Sequence, residues 1–173
     1  MWHLFCPDFR YNKISDINEL WLREHGIDTI ILDVDNTLLP YNADKPQAEN
    51  IVWIKQLRSA GVRMILLSNN GGQRLEKICA EVGVSSISWA AKPLSLGFKR
   101  ALHALRQRDK KSVLVIGDQL LTDVLGAKSM GLKVAWVETL SRKEFVLTGL
   151  TRKVEHMLVN KLVQKGMMPT KER

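Results

Sequence analysis

Consecutive apolar residues occur in short runs along this chain, and each run ends in polar residues. The clearest runs are 29–32, 62–67 and 113–116, with weaker ones at 86–89 and 133–137. The clear runs do not alternate strictly between apolar and polar, so they predict strands covered on both faces, as in a parallel sheet. The stretches between them have helical spacing. Residues 47–60 put Ile51, Ile54 and Leu57 on one face and stop at Gly61. Residues 73–82, 96–107 and 120–130 predict three more helices, the last closed by Gly131. Strands alternating with helices imply an α/β fold, a parallel sheet wound by right-handed crossovers.

The two ends differ from this rhythm. Residues 1–11 carry Trp2, Phe5, Phe9 and Tyr11, with a turn at Pro7-Asp8. These rings are expected to pack on the domain as an N-terminal arm, although aromatics near basic residues also suit a membrane interface. Residues 16–25 read as a short helix, with Asp16 and Glu19 as a capping box and Gly26 as its stop. Residues 151–164 predict a C-terminal helix with Val154, Leu158 and Leu162 on one face and Met157 beside it. Arg152, Lys153, Lys161 and Lys165 give it charge. A basic amphipathic helix can lie on anionic lipid, each surface cation adding ~1 kcal/mol, but most such faces pack on their own sheet. Residues 167–173 are expected to fray. The length of 173 residues fits one domain, divided into an arm and helix (1–26), a core (27–140) and a basic helix with tail (141–173).

The strand exits carry the candidate chemistry. Asp33 and Asp35 follow the first clear run, Ser68 the second, Lys92 the weak third and Asp118 the fourth. Parallel strands gather their carboxyl ends at one edge, which is where ligands bind in such sheets. Two carboxylates from separate strands, Asp33 and Asp118, suit an octahedral Mg²⁺ that also binds phosphate. Ser68 and Lys92 offer a hydroxyl and a positive charge to phosphoryl oxygens. Asp33 can serve as nucleophile, and Asp35 can protonate the leaving oxygen and then activate water. Taken singly, Ser68 could cap a helix, Lys92 could be solvated and Asp118 could shape a turn.

Net charge is +8, which favours polyanions: nucleic acid, an anionic membrane surface or phosphorylated substrates. No nucleic-acid-binding signature is present, so no specific nucleic acid is expected. The two cysteines, Cys6 and Cys79, make no disulfide framework and have no zinc spacing. With no secretory signal and no run long enough to span a bilayer, the expected place is the cytoplasm, with peripheral contact at the inner membrane face as an option.

Asp33-Val34-Asp35-Asn36-Thr37 resembles the first motif of haloacid-dehalogenase (HAD) superfamily phosphatases. Ser68, Lys92-Pro93 and Gly117-Asp118 with Asp123 resemble the second, third and fourth, in the family's order. The resemblance implies a Rossmann-like three-layer sandwich and a Mg²⁺-dependent phosphatase. It implies Asp33 as nucleophile and metal ligand, and Asp35 as acid/base with its carbonyl on the metal. Asp118 is then the third metal ligand, supported by Asp123, and Thr37, Ser68, Asn69 and Lys92 hold the phosphoryl group. Between 37 and 68, and again between 70 and 92, there is room for one helix and one strand, so no cap domain is expected. An open site favours a bulky substrate or a lid lent by another subunit. The wording of the motifs is similar to the YqeG-like group of HAD subfamily IIIA, related to mitochondrial phosphatidylglycerophosphate phosphatases. That implies an anionic lipid headgroup as substrate and dephosphorylation of phosphatidylglycerophosphate. The alternatives are a HAD phosphatase acting on soluble or nucleic-acid phosphomonoesters, and a binding module that kept the fold without catalysis.

Overall fold

The structure, a computed structural model, describes residues 2–41, 43–140 and 148–172. Residues 141–147, where the sequence divides core from C-terminal part, lie outside the described residues, as does the side chain of Arg152. The strands are β1 (Phe9–Tyr11), β2 (Thr29–Asp33), β3 (Arg63–Leu67), β4 (Ser86–Ile87), β5 (Val113–Gly117) and β6 (Lys133–Val137). The α-helices are α1 (Glu19–Glu24), α2 (Ala48–Ser59), α3 (Gln73–Val82), α4 (Ser95–Ala104), α5 (Leu125–Ser129) and α6 (Thr148–Gln164).

All six strands are parallel, in the order β1-β6-β5-β2-β3-β4. The predicted buried strands are therefore central: β2 lies between β5 and β3, and every one of its residues is buried. Its side chains alternate between two cores. Ile30 and Leu32 pack with Ile54 of α2 and Ile78 of α3. Ile31 packs on the other face with Phe98 of α4 and Ala127 of α5. This is the α/β three-layer, Rossmann-like architecture the sequence implies.

The differences lie at the edges. The N-terminal arm holds a strand, β1, that the sequence conceals because it is only three residues long. Asp8 docks it: its backbone N–H donates to the Val134 carbonyl at 2.9 Å, and its carboxylate accepts the Val134 N–H at 2.8 Å. Within the stretch expected to fray, residues 167–172 are held. The Glu172 N–H donates to the Arg10 carbonyl at 2.8 Å, and Met167 and Met168 pack on the core. The first α-helix starts at Glu19, capped by Asn18, whose side chain accepts the Trp21 N–H. Asp16 instead accepts the Lys13 N–H. The helix expected over 120–130 opens with a π turn, Leu120–Val124, before α5. In α6 the apolar face turns inward: Leu162 is buried, and Leu158 and Val159 pack on the core. Lys161 and Lys165 lie over the Trp2 ring at 5.5 and 5.7 Å.

Candidate active site

The parallel register sets the site. Leu32 pairs with Ile116 on one side and Asp33 with Leu67 on the other. Asp33, Ser68 and Asp118 therefore leave adjacent strands at the same edge. Lys92 comes from the loop after β4. Asn69 brings it in: its amide accepts the Lys92 N–H at 2.7 Å and donates to the Lys92 carbonyl at 3.1 Å. The Lys92–Pro93 peptide is cis.

Lys92 Nζ donates to Asp33 Oδ1 at 2.5 Å and to Asp123 Oδ1 at 2.7 Å. All three residues are buried. Asp123 reaches inward from the π turn, and its other oxygen accepts the Gln119 N–H at 3.2 Å. Gly117 makes room for it: a Cβ there would stand 2.4 Å from the Asp123 carboxyl carbon. Asp33, Asp118 and Asp123 each present an oxygen within 4.8 Å of the others. The Thr37 hydroxyl donates to Asp118 Oδ1 at 3.4 Å. Ser68 is buried, and its oxygen accepts the Asn70 N–H at 3.0 Å.

Three buried carboxylates meet, and the one ammonium among them bonds only Asp33 and Asp123. Burial pushes Asp33 up to about 7; Lys92 opposes the rise and Asp123 adds to it. Burial, with Asp33 and Asp123 close by, pushes Asp118 well above the usual carboxylate range. Burial works against the charge on Lys92, but Asp123 and Asp33 outweigh it and hold the ammonium above the ordinary lysine range. The cluster is short of positive charge. A divalent cation on these hard oxygen donors would remove the deficit, so the residues fit such a metal.

Asp35 sits toward the opening. Arg74 Nη1 donates to its Oδ1 at 2.7 Å, and Asn70 Nδ2 to its Oδ2 at 2.8 Å. Arg74 also donates from Nε to the Ala43 carbonyl. Neither Arg74 nor Asn70 stands out in the sequence as a partner of Asp35. Asn70 lies in the polar turn after β3 and is the easier to suspect. Arg74 is one exposed-looking cation among many, and only the β2–β3 pairing shows where it reaches.

A six-stranded parallel sheet with an acidic carboxyl edge is the architecture of HAD-type hydrolases. A family model described as HAD-hydrolase-like matches residues 89–163. A HAD superfamily subfamily IIIA hydrolase from Legionella pneumophila superposes with a TM-score of 0.55 at 17% identity, over 84% of this chain and 90% of that one. The full-length likeness is more specific. The "Probable phosphatase YqeG" of Bacillus subtilis is 31% identical over 168 residues, 97% of each chain. The chain therefore belongs to the HAD-like phosphatase family. A glyceraldehyde 3-phosphate phosphatase of Pyrococcus abyssi is 30% identical over 61% of this chain and 47% of its own length.

Proposed function

We propose that this chain is a Mg²⁺-dependent phosphomonoesterase that works through an aspartyl-phosphate at Asp33 and acts on phosphatidylglycerophosphate. The observation that carries the chemistry is the meeting of Asp33, Asp118 and Asp123 at the sheet edge, with Lys92 bonded to Asp33 and Asp123. An Asp33 oxygen attacks phosphorus, and the bond to the leaving oxygen breaks as Asp35 gives it a proton. Asp35 then takes a proton from water as the water oxygen attacks the phosphoryl-aspartate, releasing phosphate and restoring Asp33. Lys92 has three N–H donors and uses two on Asp33 and Asp123, which leaves one for a phosphoryl oxygen. Ser68 accepts from Asn70 and keeps its own proton for another. Thr37, whose one hydroxyl proton is on Asp118 here, would turn it to the same group when substrate enters, and Asn69 contributes by holding Lys92 in place. Mg²⁺, held by Asp33, the Asp35 carbonyl and Asp118 with Asp123 in support, would supply positive charge to the phosphoryl oxygens.

The lipid substrate is supported by the full-length likeness to the YqeG-like group and by the open edge. Among the described residues, α2 alone stands between β2 and β3, and α3 alone between β3 and β4, so no inserted domain covers the site. The proposed setting is the cytoplasmic face of the membrane, and no helix of the described residues is long and apolar enough to cross it. A second reading, hydrolysis of soluble phosphomonoesters, is favoured by the partial likeness to glyceraldehyde 3-phosphate phosphatase. The test is phosphate release with Mg²⁺ from phosphatidylglycerophosphate in mixed micelles, beside a soluble aryl phosphate, with Asp33→Asn as blank. Preference for the lipid supports the first reading, and turnover of the soluble ester alone supports the second. Release equal to the blank from both substrates leaves a binding module on the HAD fold.

A further inference from the structure

The expected membrane contacts, the N-terminal rings and the C-terminal helix, are largely used up in packing. Trp2 and Phe5 lie against the core, and Leu158 and Leu162 do the same. Of the seven exposed large apolar side chains among the described residues, Met157 and Val163 lie on α6, Leu20 and Val52 on α1 and α2, and the other three sit close together in sequence. Trp89, Leu94 and Leu96 are 68%, 64% and 62% exposed, all within eight residues and on both sides of Lys92. Such a group on a surface calls for a partner.

The loop is built to present them. Trp89 and Ala91 both have left-handed backbone, φ +51° and +55°, in residues that seldom adopt it. The Trp89 indole lies across Gly71, where a Cβ would come within 2.5 Å of its Nε1. It forms one wall of a crevice of about 370 Å³ shared with Tyr41, Asp44, Asn70 and Arg74, and the last two are the partners of Asp35. Leu94 caps α4, and Leu96 lies one turn from Lys99 and Arg100 on that helix. From residue 82 to residue 108 the chain has no carboxylate, and its exposed cations are Lys99, Arg100, Arg106 and Arg108; Lys92 is buried in the site.

We propose that Trp89, Leu94 and Leu96, with Lys99 and Arg100 beside them, form a docking surface for an anionic lipid bilayer at the mouth of the active site. A tryptophan with exposed leucines and flanking cations matches the chemistry of the headgroup boundary. A second copy of the chain matches it less well, since it would bring another +8 molecule toward a stretch that holds only cations. The inference deepens the phosphatase reading by turning the open site toward lipid, and it rests on that reading only for this orientation.

The test is co-sedimentation with vesicles of phosphatidylcholine, alone or with about one third phosphatidylglycerol. The whole chain should partition at least about tenfold better onto the anionic vesicles, and Leu94→Ser with Leu96→Ser should lower that partition about tenfold. The double variant should melt like the parent, because both side chains are exposed. A vesicle-induced blue shift of tryptophan fluorescence should vanish in Trp89→Phe. Failure of the parent to bind, or undiminished binding by the double variant, overturns the proposal. So does a dimer that the double variant dissolves, because the surface then belongs to a second copy. Turnover of a soluble aryl phosphate and of phosphatidylglycerophosphate in mixed micelles is measured separately, without vesicles. An active enzyme that ignores vesicles defeats only the docking inference, and an inactive one that binds them defeats only the phosphatase reading.

Discussion

Raising the pH should destabilise this protein when its metal is chelated, and divalent metal should reverse the trend. The cause is the buried acidic cluster. Asp33 is pushed from 3.8 up to about 7, so the folded state holds a proton that the unfolded state has lost. A carboxyl raised in this way contributes stability below its unfolded value, and that contribution is lost as pH climbs through the folded value. The window is therefore about pH 4 to 7, and Asp118 is shifted in the same direction. The raised Lys92 loses its contribution only at strongly alkaline pH. Asp28 and Glu49, held below the usual carboxylate range, are fully ionised before the window is crossed. For Asp33 the gap of 3.8 to about 7 converts to roughly 4 kcal/mol, and relaxation with water entry brings this nearer 2. For a chain of this size that is a fall in Tm of about 5 °C. Metal binding needs the carboxylates ionised, so its stabilisation should grow as pH rises. The assay is calorimetric melting between about pH 5 and 8, with EDTA or with about 5 mM Mg²⁺. A chelated protein whose Tm holds or rises across that range would refute the reasoning. So would an equal Mg²⁺ increment at both ends.

Four substitutions probe the supports of the site. Gly117→Ala should cost about 1–3 kcal/mol by forcing Asp123 off its place, and should lower kcat for an aryl phosphate by tenfold or more; parent-like melting and rate would show that the close approach is idle. Asn69→Ala removes both amide contacts with the Lys92 backbone, so about 2 kcal/mol should be lost in denaturant titration and kcat should fall. A stability loss with unchanged kcat would make Asn69 purely structural. Arg74→Gln and Asp35→Asn, combined in a double-mutant cycle on stability, should show a coupling of about 1–2 kcal/mol, because the pair is partly shielded; additive losses would mean that the ion pair contributes nothing.

The central strands were legible because each carries enough consecutive apolar residues to declare burial on both faces. Their exits were legible for the same reason: once 29–32 is a strand, Asp33 must stand at its carboxyl end. What escaped depended on partners remote in sequence. Nothing local marks Phe9–Tyr11 as a strand, since its ladder partner β6 lies more than a hundred residues away. The tail looked ready to fray because its bond to Arg10 is equally remote. At the first helix, Asp16 and Asn18 are both competent caps, and burial of Ile17 between them decides for the later start.

The acidic cluster shows the limit most sharply. The sequence places Asp123 in the helix after Asp118, where a regular α-turn offers no reason for it to face inward. The structure opens that helix as a π turn, and π turns are rare but frequent at functional sites. The inward carboxylate is tolerated because Lys92 meets it at 2.7 Å and Gly117 leaves it space. Asn69 in turn fixes the backbone of Lys92. Four residues from three strand exits and a helix start thus depend on one another, and no one of them is interpretable alone. A resemblance in motif order can name such a set. Only the register of β2 against β3 and β5 explains why its members meet.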